Sequence, residues 1–128
     1  MIFKLSYEYF IILSQLYAKN FNHEDAIDAA LEALEDLDMD DKDKIEMYKI
    51  KGISNQRLGD KSAAISDYSK MIDIDPTNQF AWYLRGGMKY KIGDMDGALE
   101  DATKAVELDP TNEDARKLFD AVKRKQIE

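Results

Sequence analysis

The sequence has no cysteine, only two prolines and six glycines, and no long run of apolar residues. Without cysteine, disulfide frameworks, thiolate nucleophiles and zinc–thiolate sites are excluded. The chain suits a reducing compartment, which favours a cytoplasmic location. The scarcity of proline and glycine allows long stretches of helix. Because no stretch approaches about 18 consecutive apolar residues, the sequence predicts no membrane span.

The charge is also one-sided, with a net value of −8 over 128 residues. Acidic residues are densest between Glu24 and Asp43. An acidic chain repels phosphate backbones, so we expect no nucleic-acid partner. The acidic block itself is interpreted as the solvated face of a helix together with its exit loop.

Motifs that carry catalysis are missing too. The sequence contains no nucleophile elbow, no glycine-rich phosphate loop and no HExxH zinc motif. The single histidine, His23, falls in a predicted turn, where we expect it to be exposed. Asp36, Asp38 and Asp40 alternate like the start of a calcium loop, but the required glycine and bidentate glutamate are absent from their positions. We therefore predict no enzyme, no cofactor and no metal site.

An internal repeat organises the chain. Residues 45–78 and 79–112 align at a spacing of 34 without a gap, and residues 7–44 form a more divergent unit that carries four extra residues. Identical pairs in the two regular units are Gly52/Gly86, Gly59/Gly93, Asp60/Asp94, Ala64/Ala98, Asp67/Asp101, Lys70/Lys104 and the segment 75–78 with 109–112. This density of matches at one offset indicates a repeat protein.

The repeat resembles the tetratricopeptide (TPR) family, whose 34-residue unit places aromatic, small and proline residues at fixed slots. In the last unit these slots hold Trp82, Arg85, Gly86, Lys89, Ala98, Ala102, Ala105 and Pro110. The resemblance implies an all-α fold: a right-handed α-solenoid of three helix hairpins plus a C-terminal capping helix over residues 113–128, in a single domain over 1–128. Asn55 and Lys89 stand where the family has tyrosine, which predicts looser packing there.

Helix signals support two helices per unit independently of the resemblance. Gly59 and Gly93 stand where a helix ends in a left-handed residue. Each is followed by an aspartate, a favoured N-cap for the next helix. Pro76 and Pro110 then prevent that second helix from continuing.

Two slots that are apolar in the family are cationic here. Lys51 and Arg85 each lie sixteen residues before an aspartate, Asp67 and Asp101 respectively. Within a helix hairpin this spacing predicts a salt bridge between the two helices of the same unit. The alkyl stems of Lys51 and Arg85 would still cover apolar surface.

The resemblance also implies a binding surface, because the first helices of TPR units line a concave groove that holds peptide ligands. Transferred slot by slot, the groove residues include Lys49, Ile50, Ile53, Gln56, Arg57, Phe80, Tyr83, Leu84, Gly87, Tyr90 and Lys91. Their apolar content predicts a peptide or protein partner with hydrophobic anchors. Some TPR domains clamp chaperone C-terminal carboxylates with a set of Lys, Asn and Arg residues. The corresponding slots here hold Ile11, Gln15, Ile50, Phe80 and Leu84, or, shifted by one repeat, Lys49, Ile53, Leu84, Asp114 and Leu118. Neither set matches, so we expect no such clamp.

Lys19, Arg57, Lys91 and Lys125 occupy the same slot in successive units. They are interpreted either as cations that offset the dipole at the end of each first helix or as a basic row for an acidic ligand. The dipole interpretation is favoured.

The expected function is a protein–protein interaction module of the adaptor, scaffold or co-chaperone-like kind. The alternative is structural: self-association as a homodimer, or docking onto a neighbouring domain, through an apolar N-terminal helix. A solenoid needs polar outer caps, and the first helix is apolar for an exposed end. The residues of that alternative are Phe3, Leu5, Ile11 and Ile12.

Overall fold

In a computed structural model, residues 6–128 are described, and they form α-helices with no strand. The helices are α1 (Tyr7–Lys19), α2 (His23–Leu34), α3 (Asp41–Arg57), α4 (Lys61–Ile74), α5 (Gln79–Lys91), α6 (Met95–Leu108) and α7 (Glu113–Ile127). The contacts divide the chain into two compact bodies, an N-terminal body over Met1–Asp67 and a C-terminal body over Tyr68–Glu128. The all-α class and the helix over residues 113–128 are confirmed.

In the N-terminal body, α1 packs against α2, and α3 packs against both. Small residues on one face of α2 let the helices approach closely: Ala26, Ala30 and Ala33 are fully buried at helical spacing. Larger side chains, among them Met47, fill the space around them. The buried hydroxyl of Ser14 donates a hydrogen bond to the Ala26 carbonyl oxygen at 2.8 Å, so α1 is tied to α2 by a polar contact as well.

The C-terminal body repeats this arrangement: α5 packs against α6, and α7 packs against both. Ala98, Ala102 and Ala105 form the buried face of α6. A Cβ atom at Gly86 would lie 3.0 Å from Asp101 Cβ, tighter than ordinary contacts allow. Glycine therefore allows α5 and α6 to approach closely at this crossing, where any other residue would push Asp101 aside.

The turns inside the two regular units have the predicted conformation. Gly59 and Gly93 are left-handed, with φ of 88° and 89°. The carboxylates of Asp60 and Asp94 each accept a hydrogen bond from the backbone N–H three residues later, at 3.0 and 2.9 Å. The predictions of a left-handed helix end and of an aspartate cap are both confirmed.

The turns that leave the regular units are also alike. Asp75 Oδ1 accepts hydrogen bonds from the Thr77 N–H (3.0 Å) and hydroxyl (2.6 Å), and these bonds lower the pKa of the Asp75 carboxyl. The Asn78 side chain then accepts from the Ala81 N–H and caps α5. Residues 109–112 form the same bonds before α7, so the identical four-residue segments make identical turns.

The turn of the first unit has the same hydrogen bonds but a different residue. Asn22 N–H donates to the Tyr17 carbonyl at 2.8 Å, as Asp60 N–H does to Asn55. The residue in the left-handed position is Phe21, with φ of 61°. His23 is the first residue of α2 and is half-buried, so the prediction that it lies exposed in the turn is wrong. The turn closes one residue before it.

Candidate interaction surface

Buried ion pairs hold the first helix of each regular unit in place. Lys51 Nζ lies 3.0 Å from Asp67 Oδ1. Arg85 donates to both oxygens of Asp101, from Nε and from an Nη atom, each at 2.8 Å. Both carboxylates are buried. The two predicted salt bridges are therefore confirmed, and the Arg85 pair has the bidentate geometry of the strongest ion pairs.

Each buried carboxylate has a second partner on the same helix. Asn55 Nδ2 donates to Asp67 at 2.9 Å, and Lys89 Nζ lies 3.2 Å from Asp101. Sequence reasoning expected only looser packing at these two slots. The missed signal is their position four residues after Lys51 and Arg85, which puts both groups on one helix face.

Arg85 is further fixed by its surroundings. Its hydrogen bonds to Asp101 raise the pKa of the guanidinium above its usual value, so it is charged at every accessible pH. The guanidinium also lies 5.1 Å from the centre of the Trp82 ring, within the range of a cation–π contact. These contacts leave the opposite side of α5 to present its side chains outward.

The outward side of α3 carries part of the predicted groove set. Ile53 and Gln56 are half-buried and Arg57 is exposed, and their spacing puts them on one face. Lys49 is half-buried and pairs with Glu46 at 2.9 Å. Ile50 is only 7% exposed and belongs to the core of the N-terminal body, so it is not part of this surface. We call Lys49, Ile53, Gln56 and Arg57 the α3 face.

The outward side of α5 is more aromatic. Phe80 is 43% exposed, and its ring stacks on Tyr83 with centroids 6.3 Å apart. Leu84 and Tyr90 are half-buried and Lys91 is exposed. The α5 face comprises Phe80, Tyr83, Leu84, Gly87, Tyr90 and Lys91.

Gly87 lies in the middle of the α5 face. A Cβ atom placed on it would meet no other atom within 4 Å. Glycine inside a helix lowers stability by roughly 0.5–1 kcal/mol relative to alanine, and here no neighbouring atom requires it. The structure thus has free space at the centre of a surface of half-exposed aromatic and aliphatic side chains.

The N-terminal residues of the self-association hypothesis divide into two groups. Phe3 and Leu5 lie outside the described residues. Ile11 is half-buried and packs on the core of the N-terminal body, whereas Ile12 is 58% exposed. Tyr9 and Leu16 are also exposed, and with Ile12 they form an apolar stripe along α1.

The cations of the recurring slot all lie in last turns. Lys19, Arg57, Lys91 and Lys125 are exposed in the final turns of α1, α3, α5 and α7. Cations there offset the helix dipole. None of the helices formed by residues 6–128 has the length and apolar character that a membrane crossing requires.

A family model for the tetratricopeptide repeat matches residues 45–78 and 81–112, which is just over half of the chain. The first unit, residues 7–44, lies outside this match. No match is found among curated protein sequences.

Several solved structures have the same fold. The first TPR of Spaghetti (RPAP3), bound to the HSP90 peptide SRMEEVD, has a TM-score of 0.85 at 16% identity, with 96% of this chain and 94% of that chain covered. The Hsp90 co-chaperone Cns1 of Saccharomyces cerevisiae has a TM-score of 0.86 at 21% identity, over 94% of this chain and 39% of that one. The Sgt2 TPR domain of Aspergillus fumigatus has a TM-score of 0.80 at 18% identity, over 95% and 80%.

These likenesses cover nearly the whole chain, including the divergent first unit, and at such low identity they establish the fold alone. The α-solenoid fold class predicted from the repeat is confirmed. The chain belongs to the tetratricopeptide repeat family.

Proposed function

We propose that this protein is an interaction module in which the outward faces of first helices, the α5 face and separately the α3 face, each contact a peptide segment of a partner protein. The partner segment carries hydrophobic anchors, because most of the half-exposed side chains on the α5 face are aromatic or aliphatic. A cytoplasmic location stays a prediction of the sequence.

The observation that carries the proposal is the environment of Gly87. The free space above its Cα is flanked on the same helix by Tyr83, Leu84 and Tyr90. Such a notch lets the backbone or an anchor side chain of a ligand approach the helix closely. Half-exposed apolar side chains around it gain free energy when a ligand removes them from water, by about 25 cal/mol per Å².

The test begins with peptides selected by display on the intact chain and measures their dissociation constants by fluorescence anisotropy. We expect Ile53→Glu on the α3 face and Tyr83→Glu on the α5 face each to weaken binding at least tenfold, about 1.4 kcal/mol or more. The matched control is Leu37→Glu, the same kind of change at a fully exposed leucine in the loop between α2 and α3. The control should bind like the wild type.

A second variant separates binding from folding. Gly87→Gln should raise helix stability, because glutamine is a better helix former and its Cβ atom would meet no other atom within 4 Å. The same change should weaken peptide binding by filling the notch. Selected peptides that bind Gly87→Gln and Tyr83→Glu as tightly as the wild type would refute the α5 face as the ligand site.

One ligand class is open to a direct comparison. The neighbour that carries the HSP90 peptide SRMEEVD has a similar fold. In this chain, the slots that match the two-carboxylate clamp hold Ile11, Gln15, Ile50, Phe80 and Leu84, none of which is charged. We therefore expect no micromolar binding of SRMEEVD, and calorimetry showing such binding would contradict this specificity.

Self-association is the second candidate function, and the apolar stripe of Tyr9, Ile12 and Leu16 on α1 favours it. Pairing of two such stripes would remove them from water. Light scattering over a concentration series tests the idea: a dimer that dissociates in the Ile12→Lys variant supports it. A wild-type chain that stays monomeric at hundreds of micromolar removes it.

A further inference from the structure

The turn between α1 and α2 holds a bulky residue in a conformation that normally requires glycine. Phe21 has φ of 61°, and the corresponding residues of the other two hairpins are the left-handed glycines Gly59 and Gly93. For a large side chain this region of backbone space is a genuine outlier. Strain of this kind concentrates at functional positions, so the residue's surroundings are informative.

The side chain of Phe21 is not used to build the core. It is 79% exposed, and its ring approaches that of His23 edge to face, with centroids 6.3 Å apart. Burial in the hydrophobic core therefore does not offset the strained backbone. An exposed aromatic ring that gains little from the fold is free to contact a partner.

A surface pocket of about 230 Å³ lies beside this ring. Its lining consists of Phe21, Asn22, His23, Glu24, Asp25 and Leu58. Leu58 is 46% exposed, so the pocket has two apolar walls. Asn22 precedes α2 without its side chain capping the helix, and Nδ1 of His23 is buried with no hydrogen-bond partner among the described residues.

The polar rim of the pocket is negative. Glu24 and Asp25 are exposed, and neither takes part in an ion pair within residues 6–128. The sequence contains no lysine or arginine between Lys19 and Lys42. The two carboxylates therefore have no cation close by in sequence to neutralise them.

We propose that this pocket binds an arginine or lysine side chain presented by a partner protein. The alkyl stem would cover Leu58, since long basic side chains are apolar up to the charged group. The cationic group would lie over the Phe21 ring and donate hydrogen bonds to the carboxylates of Glu24 and Asp25. A purely apolar anchor would gain no charge–charge attraction from the two carboxylates, and an acidic one would be repelled.

The test uses N-acetyl-arginine methylamide as the probe and follows backbone amide shifts of the intact chain by NMR. A single side chain in a pocket of this size should bind with a dissociation constant of about a millimolar. The matched control probe is N-acetyl-citrulline methylamide, which has the same shape without the charge. We expect saturable shifts at the pocket residues and at least tenfold weaker binding of the citrulline probe.

Two variants locate the site. Phe21→Gly restores the residue type of the other two hairpins, so the chain should fold at least as well as the wild type while binding the arginine probe at least fivefold more weakly. The double change Glu24→Gln with Asp25→Asn should also weaken binding. Its control, Glu32→Gln with Glu35→Gln, removes the same charge from exposed positions in the last turn of α2 and directly after it, and should leave binding unchanged.

Equal binding of the arginine and citrulline probes would overturn the proposal, as would unchanged binding by Phe21→Gly. Equal losses in the two charge variants would overturn it as well, because they would indicate a diffuse attraction to the acidic helix. None of these outcomes bears on the α3 and α5 faces, so the two proposals fail separately.

Discussion

The buried carboxylate of Asp101 gives the most informative stability prediction. Asp101 is 1% exposed. It accepts two hydrogen bonds from Arg85 and forms an ion pair with Lys89. Breaking a buried ion pair by removing one partner costs about 3–5 kcal/mol. Because Arg85 and Lys89 retain 18% and 17% exposure and can reach water, we expect Asp101→Ala to cost about 3 kcal/mol, the lower end of that range.

The chain itself supplies the apolar replacement. The first unit carries apolar or aromatic residues at the three corresponding slots: Leu13, Tyr17 and Ala29. We expect the triple variant Arg85→Leu, Lys89→Tyr and Asp101→Ala to recover about 2 kcal/mol of the loss, because no charge then remains without a partner.

Urea unfolding followed by tryptophan fluorescence measures both variants. Trp82 is the sole tryptophan and lies against Arg85, so its emission reports on this unit. A loss below about 1 kcal/mol for Asp101→Ala would show that the carboxylate is effectively hydrated and refute the burial argument. A triple variant no more stable than Asp101→Ala would show that the polar network contributes net stability.

Three further predictions concern the helices and their ends. Gly93→Ala should lower the stability of the fold by about 1 kcal/mol, because its left-handed backbone is unfavourable for a side chain although no neighbouring atom is in the way. Gly87→Ala lies in ordinary helix, also without a neighbouring atom, and should raise stability by about 0.5–1 kcal/mol. Thermal unfolding should therefore show shifts of opposite sign for the two variants. Ser14→Ala should cost about 1 kcal/mol by removing a buried hydrogen bond, and an unchanged denaturation midpoint would contradict this. Asn112→Ala should lower stability by about 1 kcal/mol, because it removes the side chain that caps α7. The Asn22 side chain makes no cap hydrogen bond, so Asn22→Ala should change stability by only about 0.3 kcal/mol. Equal effects of the two variants in urea unfolding would contradict the assignment of Asn112 as a cap.

Sequence reasoning succeeded where local chemistry and repeat length act together. Gly59 and Gly93 marked helix ends because glycine tolerates a left-handed backbone, and the aspartate after each provided the cap. Residues sixteen apart meet as predicted because, in each regular hairpin, the cation and the aspartate stand at equal distances before and after the left-handed glycine of the same short turn. The spacing in sequence is therefore enough to predict the pair of Lys51 and Asp67.

Reasoning from the family's slots was less successful where side chains depart from the pattern. Ile50 was placed on the surface by its slot but belongs to the core. Lys89 was expected to loosen the packing, and it instead contacts a buried carboxylate. The pocket beside Phe21 was missed because no local signal predicts a left-handed phenylalanine; the alignment of Phe21 with Gly59 and Gly93 would have revealed it.

The three units show that one backbone pattern can be stabilised by different chemistry. The regular units join their helices through a buried carboxylate with two polar partners, whereas the first unit has apolar side chains at the same slots and uses the Ser14 hydroxyl instead. A polar network has stricter geometry than apolar packing, because each donor must reach its acceptor. The regular units therefore hold α3 and α5 in fixed rotation about their axes, which is what a surface that selects a ligand by anchor position requires.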